Sequence, residues 1–258
     1  MHRAKKSLGQ NFLKSETALR KIIEAGEIKP DDVILEIGPG RGALTEKLLE
    51  RAGTVIAVEK DYELFELLKT KFSKEITANT LVLVCGDILQ FSISNFQFSK
   101  YKIVANIPYN VTGAILKKFL TNKHQPEMMV LMVQHEVAQR ILARDGKESI
   151  LSISVKAYGE PKMIDKVDKR YFSPQPKVNS AIIKINNISR KNFEENGVDE
   201  KRFWEIVKKG FAHKRKKLLG NLKNLCKKDS LALYGDKRAE DLSFLDWISL
   251  ARAESSSA

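Results

Sequence analysis

Six residues in the first ninety carry chemistry by type and spacing: Glu36, Gly38, Gly40, Gly42, Glu59 and Asp87. The three glycines alternate after the apolar residues 33–35 and ahead of an amphipathic stretch at 44–49. That is the pattern of a strand, a glycine turn and a helix start. Glycine accepts a positive φ and lets a ligand approach with no Cβ in the way. In open α/β sheets a first turn of this kind holds a nucleotide-like ligand. The spacing here is G-x-G-x-G, not the dinucleotide G-x-G-x-x-G, and Glu36 stands just before it. A carboxylate there disfavours a pyrophosphate. It suits a ligand bearing an amine and a sulfonium, which points to S-adenosylmethionine. Glu59 lies 21 residues after Gly38, where an acid can accept both hydroxyls of a ribose. Asp87, following Gly86, is placed to accept from the adenine amino group of the same cofactor.

Asn106, Ile107, Pro108 and Tyr109 form the most specific motif. It resembles the N-P-P-Y motif of amino-methyltransferases, which implies a delocalised amine such as adenine N6 as the nucleophile. The Asn106 side-chain oxygen and the Ile107 carbonyl can each accept one of the two N–H bonds. That favours a pyramidal nitrogen whose lone pair faces the methyl group. Pro108 stiffens the turn because its φ is fixed. Tyr109 offers a face on which an extruded base can stack, as enzymes acting on a base commonly require.

These residues need a scaffold, and the hydrophobic pattern predicts one. Strands are expected over 33–37, 54–58, 81–84, 102–105 and 128–133, with later ones over 150–158, 163–167 and 180–185. Helices are expected over 15–25, 43–51, 62–72, 114–120 and 137–143. Alternating strands and helices imply a parallel sheet covered on both faces. Gly38, Glu59, Asp87 and Asn106 then fall just at or after the C-terminal ends of successive strands, the edge where doubly wound sheets bind ligands. From 186 the pattern changes. Residues 186–191 read as a linker, and 199–211, 214–226 and 236–250 as helices, with a frayed end over 253–258. The expected division is a methyltransferase domain over 1–190, with a basic N-terminal arm, and a small all-α domain over 191–258.

The 258 residues are 43% hydrophobic, enough for a substantial core, and carry a net charge of +13. The charge is concentrated. Residues 1–14 contribute +4 and residues 201–228 contribute +10, with Glu205 the only acid in the second segment. Basic charge confined in this way fits a polyanion contact. Lys5, Lys6, Lys214, Arg215, Lys216 and Lys217 are the candidate polyanion contacts. No apolar run nears the roughly 18 residues of a membrane span, and no apolar region follows the basic start, so neither a membrane partner nor a secretory signal is expected. Cys85 and Cys226 lack metal-ligand spacing, as do His2, His124, His135 and His213. The expectation is a cytoplasmic protein without a metal.

Taken together, the chain resembles the small-subunit ribosomal RNA adenine dimethyltransferases, the KsgA type. The markers are residues 10–13, 36–45, Glu59, Gly86 with Asp87, 106–110, 171–181 and 211–217, and they cover nearly the whole chain. The resemblance implies a Rossmann-like class I methyltransferase sheet with helices on both faces, plus the small helical domain. It implies N6,N6-dimethylation of two adjacent adenosines near the 3′ end of small-subunit RNA, in an assembling subunit, with S-adenosylmethionine as donor. It further implies that Asn11 and Leu13 close over the methionine end of the cofactor, that Phe172 packs on the target base opposite Tyr109, and that the polyanion met by the six basic candidates is RNA. Nothing points to an obligate dimer, so a monomer is expected. One departure is Val111 to Ala114, where many relatives carry a Ser-Thr-Pro-like segment. The Erm-type enzymes of large-subunit RNA share the cofactor motifs, but the 172–178 stretch and the basic 213–217 segment favour the small-subunit type. A non-catalytic assembly factor is disfavoured by the intact Asn106 and Tyr109.

Overall fold

The computed structural model describes residues 3–93 and 98–255; His2 and the last three residues of the expected frayed end lie outside them. In chain order the elements are β1 (Phe12–Leu13), α1 (Glu16–Gly26), β2 (Val33–Ile37), α2 (Ala43–Leu49), β3 (Thr54–Glu59), α3 (Tyr62–Lys71), α4 (Ser73–Thr77), β4 (Leu81–Cys85) and β5 (Lys102–Asn106). They continue with α5 (Thr112–Leu120), β6 (Met128–Gln134), α6 (His135–Leu142), α7 (Ile150–Lys156), β7 (Glu160–Val167), β8 (Phe172–Ser173), β9 (Ser180–Asn186), α8 (Lys191–Glu194), α9 (Glu200–Gly210), α10 (Leu218–Leu222) and α11 (Phe244–Ser255).

Seven strands form one sheet in the order β4-β3-β2-β5-β6-β9-β7. The strands from β4 to β6 run parallel. Their interiors, such as Ile34 and Leu35, Val55 to Ala57 and Ile103 to Ala105, are fully buried, as strands covered on both faces require. The expectation of a parallel sheet fails at one edge, where β9 runs antiparallel to both β6 and β7. A parallel neighbour needs a crossover, usually helical, and the link from β7 to β9 holds no α-helix. Helix α1 forms as its pattern predicts. Ser15 Oγ accepts from Ala18 N at 3.2 Å, and Leu19, Ile22 and Ile23 enter the core.

Contacts divide the chain into two compact units. One comprises the described residues up to Ala138 with Glu160–Ile188; the other comprises Gln139–Gly159 with the described residues from Ser189 onward. The boundary expected at 190 therefore misses residues 139–159. Their expected strand at 150–158 is instead helix α7. Ser149 and Ser152 form a reciprocal capping box at its start, which outweighs the β-branched run behind it. Tyr158 then packs on Phe193 and Trp204. The expected helix at 214–226 shrinks to α10. Leu218 N and Leu219 N bond to the carbonyls of Lys237 and Gly235, so a tertiary pairing replaces the helical ladder ahead of it. Residues 213–217 are an exposed turn, not a helix. The expected helix at 236–250 starts only at Phe244, and the linker at 186–191 is shorter than expected, since β9 ends at Asn186 and α8 opens at Lys191.

Candidate active site

The sheet reverses its strand order between β2 and β5, which pair in parallel. At a switch point the connections leave in opposite directions and open a crevice beyond the strand ends. A cavity of about 340 Å³ lies there, within the usual range for small-molecule sites of ~300–1,000 Å³. Asn11, Leu13, Glu36, Gly38, Gly40, Glu59, Asp87 and residues 106–109 all line it. Every predicted cofactor and catalytic residue except Phe172 is thus brought to one place.

The floor is the glycine turn. Gly40 and Gly42 hold φ of 62° and 78°, a region that L side chains rarely adopt. A Cβ on Gly42 would stand 2.6 Å from the Phe72 ring, and one on Gly40 would stand 3.0 Å from that of Phe12. The turn is therefore fixed by close packing as well as by φ. Glu36 is buried beneath it, with Oε2 accepting from Thr45 Oγ1 at 2.7 Å. Burial pushes its carboxyl up to about 8, against a smaller opposing effect of Thr45. Below its ordinary value of 4.5 the group is protonated both folded and unfolded. Above 4.5 the unfolded chain releases the proton while the folded chain keeps it until about 8. Folding therefore becomes less favourable as pH rises through that window. Melting of the cofactor-free protein between pH 5.5 and 8.5 checks this, with Glu36→Gln expected to shrink the fall in Tm. An undiminished fall would assign the pH dependence to other groups.

Glu59 ends β3. Its Oε2 accepts from Gly40 N at 3.0 Å and its Oε1 from Asp61 N at 2.8 Å. A carboxylate has about four acceptor positions, so each oxygen keeps one for a ribose hydroxyl. Burial raises the Glu59 pKa, and the backbone N–H groups of Asp61, Gly40 and Lys60 oppose it. Asp87 accepts from Leu89 N at 2.9 Å and from Lys60 Nζ at 2.8 Å, and Lys60 holds its carboxyl below the usual range. Alternating positive-φ glycines and three strand-edge acids match the methionine amine, ribose and adenine of S-adenosylmethionine in chemistry.

Asn106 ends β5. Its Nδ2 donates to the Asn11 carbonyl at 3.3 Å, which leaves Oδ1 as the acceptor end of the amide. Among the described residues no donor reaches the Ile107 carbonyl. Tyr109 is held by a 2.5 Å hydrogen bond between its hydroxyl and Ser180 Oγ; Ser180, at the start of β9, has no such role legible in the sequence. Phe172 is a difference from expectation. It is 3% exposed, belongs to the hydrophobic core and does not line the cavity. Phe172 pairs antiparallel with Leu13, and both side chains belong to the core.

The predicted RNA contacts separate in the same way. Lys5 is engaged by Asp61 at 2.7 Å and Glu63 at 3.0 Å, so it serves the arm. Lys6 is exposed. Lys214, Arg215 and Lys216 are exposed and form no ion pair among the described residues. Lys217 pairs with Asp236 at 2.8 Å. Among the described residues no helix is long and apolar enough to cross a membrane.

Sheet order, glycine turn and strand-edge acids together define a class I S-adenosylmethionine-dependent methyltransferase. Comparison with known proteins narrows the class. The family model described as ribosomal RNA adenine dimethylase matches residues 1–253, and the chain belongs to that family. A ribosomal RNA small subunit methyltransferase A of Dehalococcoides mccartyi strain CBDB1 is 43% identical, over 95% of this chain and 86% of the relative. A crystal structure of a Plasmodium falciparum dimethyladenosine transferase superposes with a TM-score of 0.78 at 29% identity, covering 93% of this chain and 95% of that one. The 23S rRNA methyltransferase ErmE gives 0.76 at 26% identity, covering 95% and 100%. The fold is thus shared with a 23S rRNA methyltransferase, and the small-subunit assignment comes from the sequence relatives.

Proposed function

We propose that this protein dimethylates two adjacent adenosines near the 3′ end of small-subunit ribosomal RNA at N6. The observation that carries the reading is the meeting of Asn106, Ile107 and Tyr109 with the glycine turn in one cavity. Bound S-adenosylmethionine supplies an activated methyl group on a sulfonium. Glu36, protonated up to about pH 8 in the cofactor-free protein, would ionise against the methionine ammonium, Glu59 would take the ribose hydroxyls and Asp87 the adenine amino group. Asn11 and Leu13 cover the methionine end. Asn106 Oδ1 and the Ile107 carbonyl accept from the target amine, Pro108 keeps the turn rigid and Tyr109 stacks on the extruded base. Orientation then does most of the work, and well-placed reactants can gain several kcal/mol or more. Phe172 meets the target base only if the arm and its partner strand shift.

The partner is the assembling small subunit, met in the cytoplasm by a monomer. The helical unit supplies the RNA contact through Lys214, Arg215 and Lys216, with Lys6 on the arm. Replacing Lys214, Arg215, Lys216 and Lys217 with Ala should make the slope of log affinity against log salt shallower by about 2 to 3, at ~0.7–0.9 per phosphate contact. Lys217 should contribute least because Asp236 already pairs with it. An unchanged slope would place the contact elsewhere.

The reading is tested with labelled S-adenosylmethionine and small subunits that lack these methyl groups, followed by mass mapping. Dimethyladenosine at two adjacent 3′ sites supports it. Label in large-subunit RNA would favour Erm-type specificity, and tight particle binding without label would indicate an assembly factor.

A further inference from the structure

The N-terminal arm is tied to the site by a buried carboxylate that the reaction leaves unused. Asp61 is 2% exposed. Its Oδ1 accepts from Lys5 Nζ at 2.7 Å and from Glu63 N at 3.1 Å, and its Oδ2 from Gln10 Nε2 at 2.8 Å. Gln10 Oε1 in turn accepts from Lys5 N at 2.8 Å. Lys5, Gln10 and Asp61 therefore close a ring across more than fifty residues of chain. The Asp61 end of this ring is buried while the Lys5 side chain is 38% exposed, and a buried carboxylate deprived of its partners is destabilised, so the tie is held from the Asp61 side.

The anchored arm reaches the reacting group one residue further along. Asn11 presents its carbonyl to Asn106 Nδ2 at 3.3 Å, and Phe12 and Leu13 then pair with Ser173 and Phe172. The two ends of an asparagine amide are nearly equal in shape and opposite in hydrogen bonding. Turned one way, Asn106 offers an acceptor to an amine; turned the other way, it offers a donor. The Asn11 carbonyl can only accept, so it selects the first orientation. The same aspartate also donates its backbone N–H to Glu59 Oε1 at 2.8 Å, so the anchor adjoins the predicted ribose acid.

We propose that Asp61 is a positioning residue: through Lys5 and Gln10 it holds the arm closed over the cofactor cavity, so that the Asn11 carbonyl fixes the Asn106 amide with its oxygen toward the target amine. This rests on the assignment of Asn106 to that amine. A loosened arm lets the amide turn and the cofactor leave, while RNA contacts on the helical unit are unaffected.

The variants to make are Lys5→Met with Gln10→Leu, which leave Asp61 to cap α3, and Lys5→Arg as the conservative control. Three readouts apply: amide hydrogen exchange at residues 9–14, S-adenosylhomocysteine dissociation, and single-turnover methyl transfer at saturating cofactor. The double variant should speed exchange and dissociation and slow transfer, each by about tenfold, a modest share of what misplacement of ~1 Å can cost. Lys5→Arg should stay near wild type. On an Asn106→Ala background the double variant should slow transfer by less than about twofold, because its effect runs through that side chain. Wild-type exchange and dissociation in the double variant would overturn the proposal, as would an equal loss of rate on both backgrounds. A wild-type protein that fails to hold S-adenosylhomocysteine would instead sink the reading of the site, while arm exchange would still score the anchor.

Discussion

Asn106→Ala is expected to lower methyl transfer by about 10² to 10³-fold at saturating S-adenosylmethionine, the usual cost of removing one preorganised hydrogen-bonding group from a reacting centre. Small-subunit binding should stay close to wild type, because the basic contacts lie outside the cavity. The size follows from what the side chain does. An adenine amine is a poor nucleophile while its lone pair is shared with the ring, and a fixed acceptor helps withdraw it from that sharing. The acceptor is preorganised, since Asn106 Nδ2 is already held by Asn11. Alanine removes the acceptor and leaves the Asn11 carbonyl without its donor. Rapid-quench transfer alongside filter binding separates the two effects. Transfer within a few-fold of wild type would remove Asn106 from the mechanism, and a parallel loss of binding would mean that the substitution disturbed more than the amine.

Glu59→Gln should weaken S-adenosylhomocysteine binding by about 10²-fold, from hydrogen bonds to a charged group worth ~1.5–3 kcal/mol each. Glu59 has two oxygens, each already accepting one backbone N–H, and each with capacity for a ribose hydroxyl. A glutamine keeps the volume but can accept through one end only. Its amide end would face the N–H of Gly40 or of Asp61, donor against donor, which loosens the glycine turn as well. A calorimetric comparison with an analogue lacking both ribose hydroxyls isolates the direct contact. Wild type should lose most of its affinity for that analogue, and Glu59→Gln should lose little more. Equal losses in both proteins would show that Glu59 supports the turn without touching ribose.

The chemistry of the cofactor side was written in local sequence. Strand ends, glycine spacing and the acids at 36, 59 and 87 are separated by one strand–helix repeat each. A parallel sheet carries such residues to one edge whatever the details of packing. For the same reason the motif at 106–109 falls at that edge from sequence alone, whereas its place beside the glycine turn follows from the pairing of β2 with β5. Charge segregation was equally legible, because it depends only on counting.

What the sequence left undetermined depends on long-range partners. The run at 150–158 is rich in β-branched residues and reads as a strand, yet a serine capping box and a hydrophobic face against Phe193 and Trp204 make it a helix. The basic run at 213–217 reads as helix, yet the following residues bond to the segment at 235–237 and leave it an exposed turn. Lys5 reads as an RNA contact because its charge is visible and its partner, 56 residues away, is not. Phe172 reads as a base-stacking ring, yet it is buried in the core with its strand partner Leu13. In each case residue type sets what a side chain can do, and this the sequence determined by itself. Which partner claims it is decided by neighbours distant in the chain, because burial and hydrogen-bond competition exist only once the tertiary structure has formed.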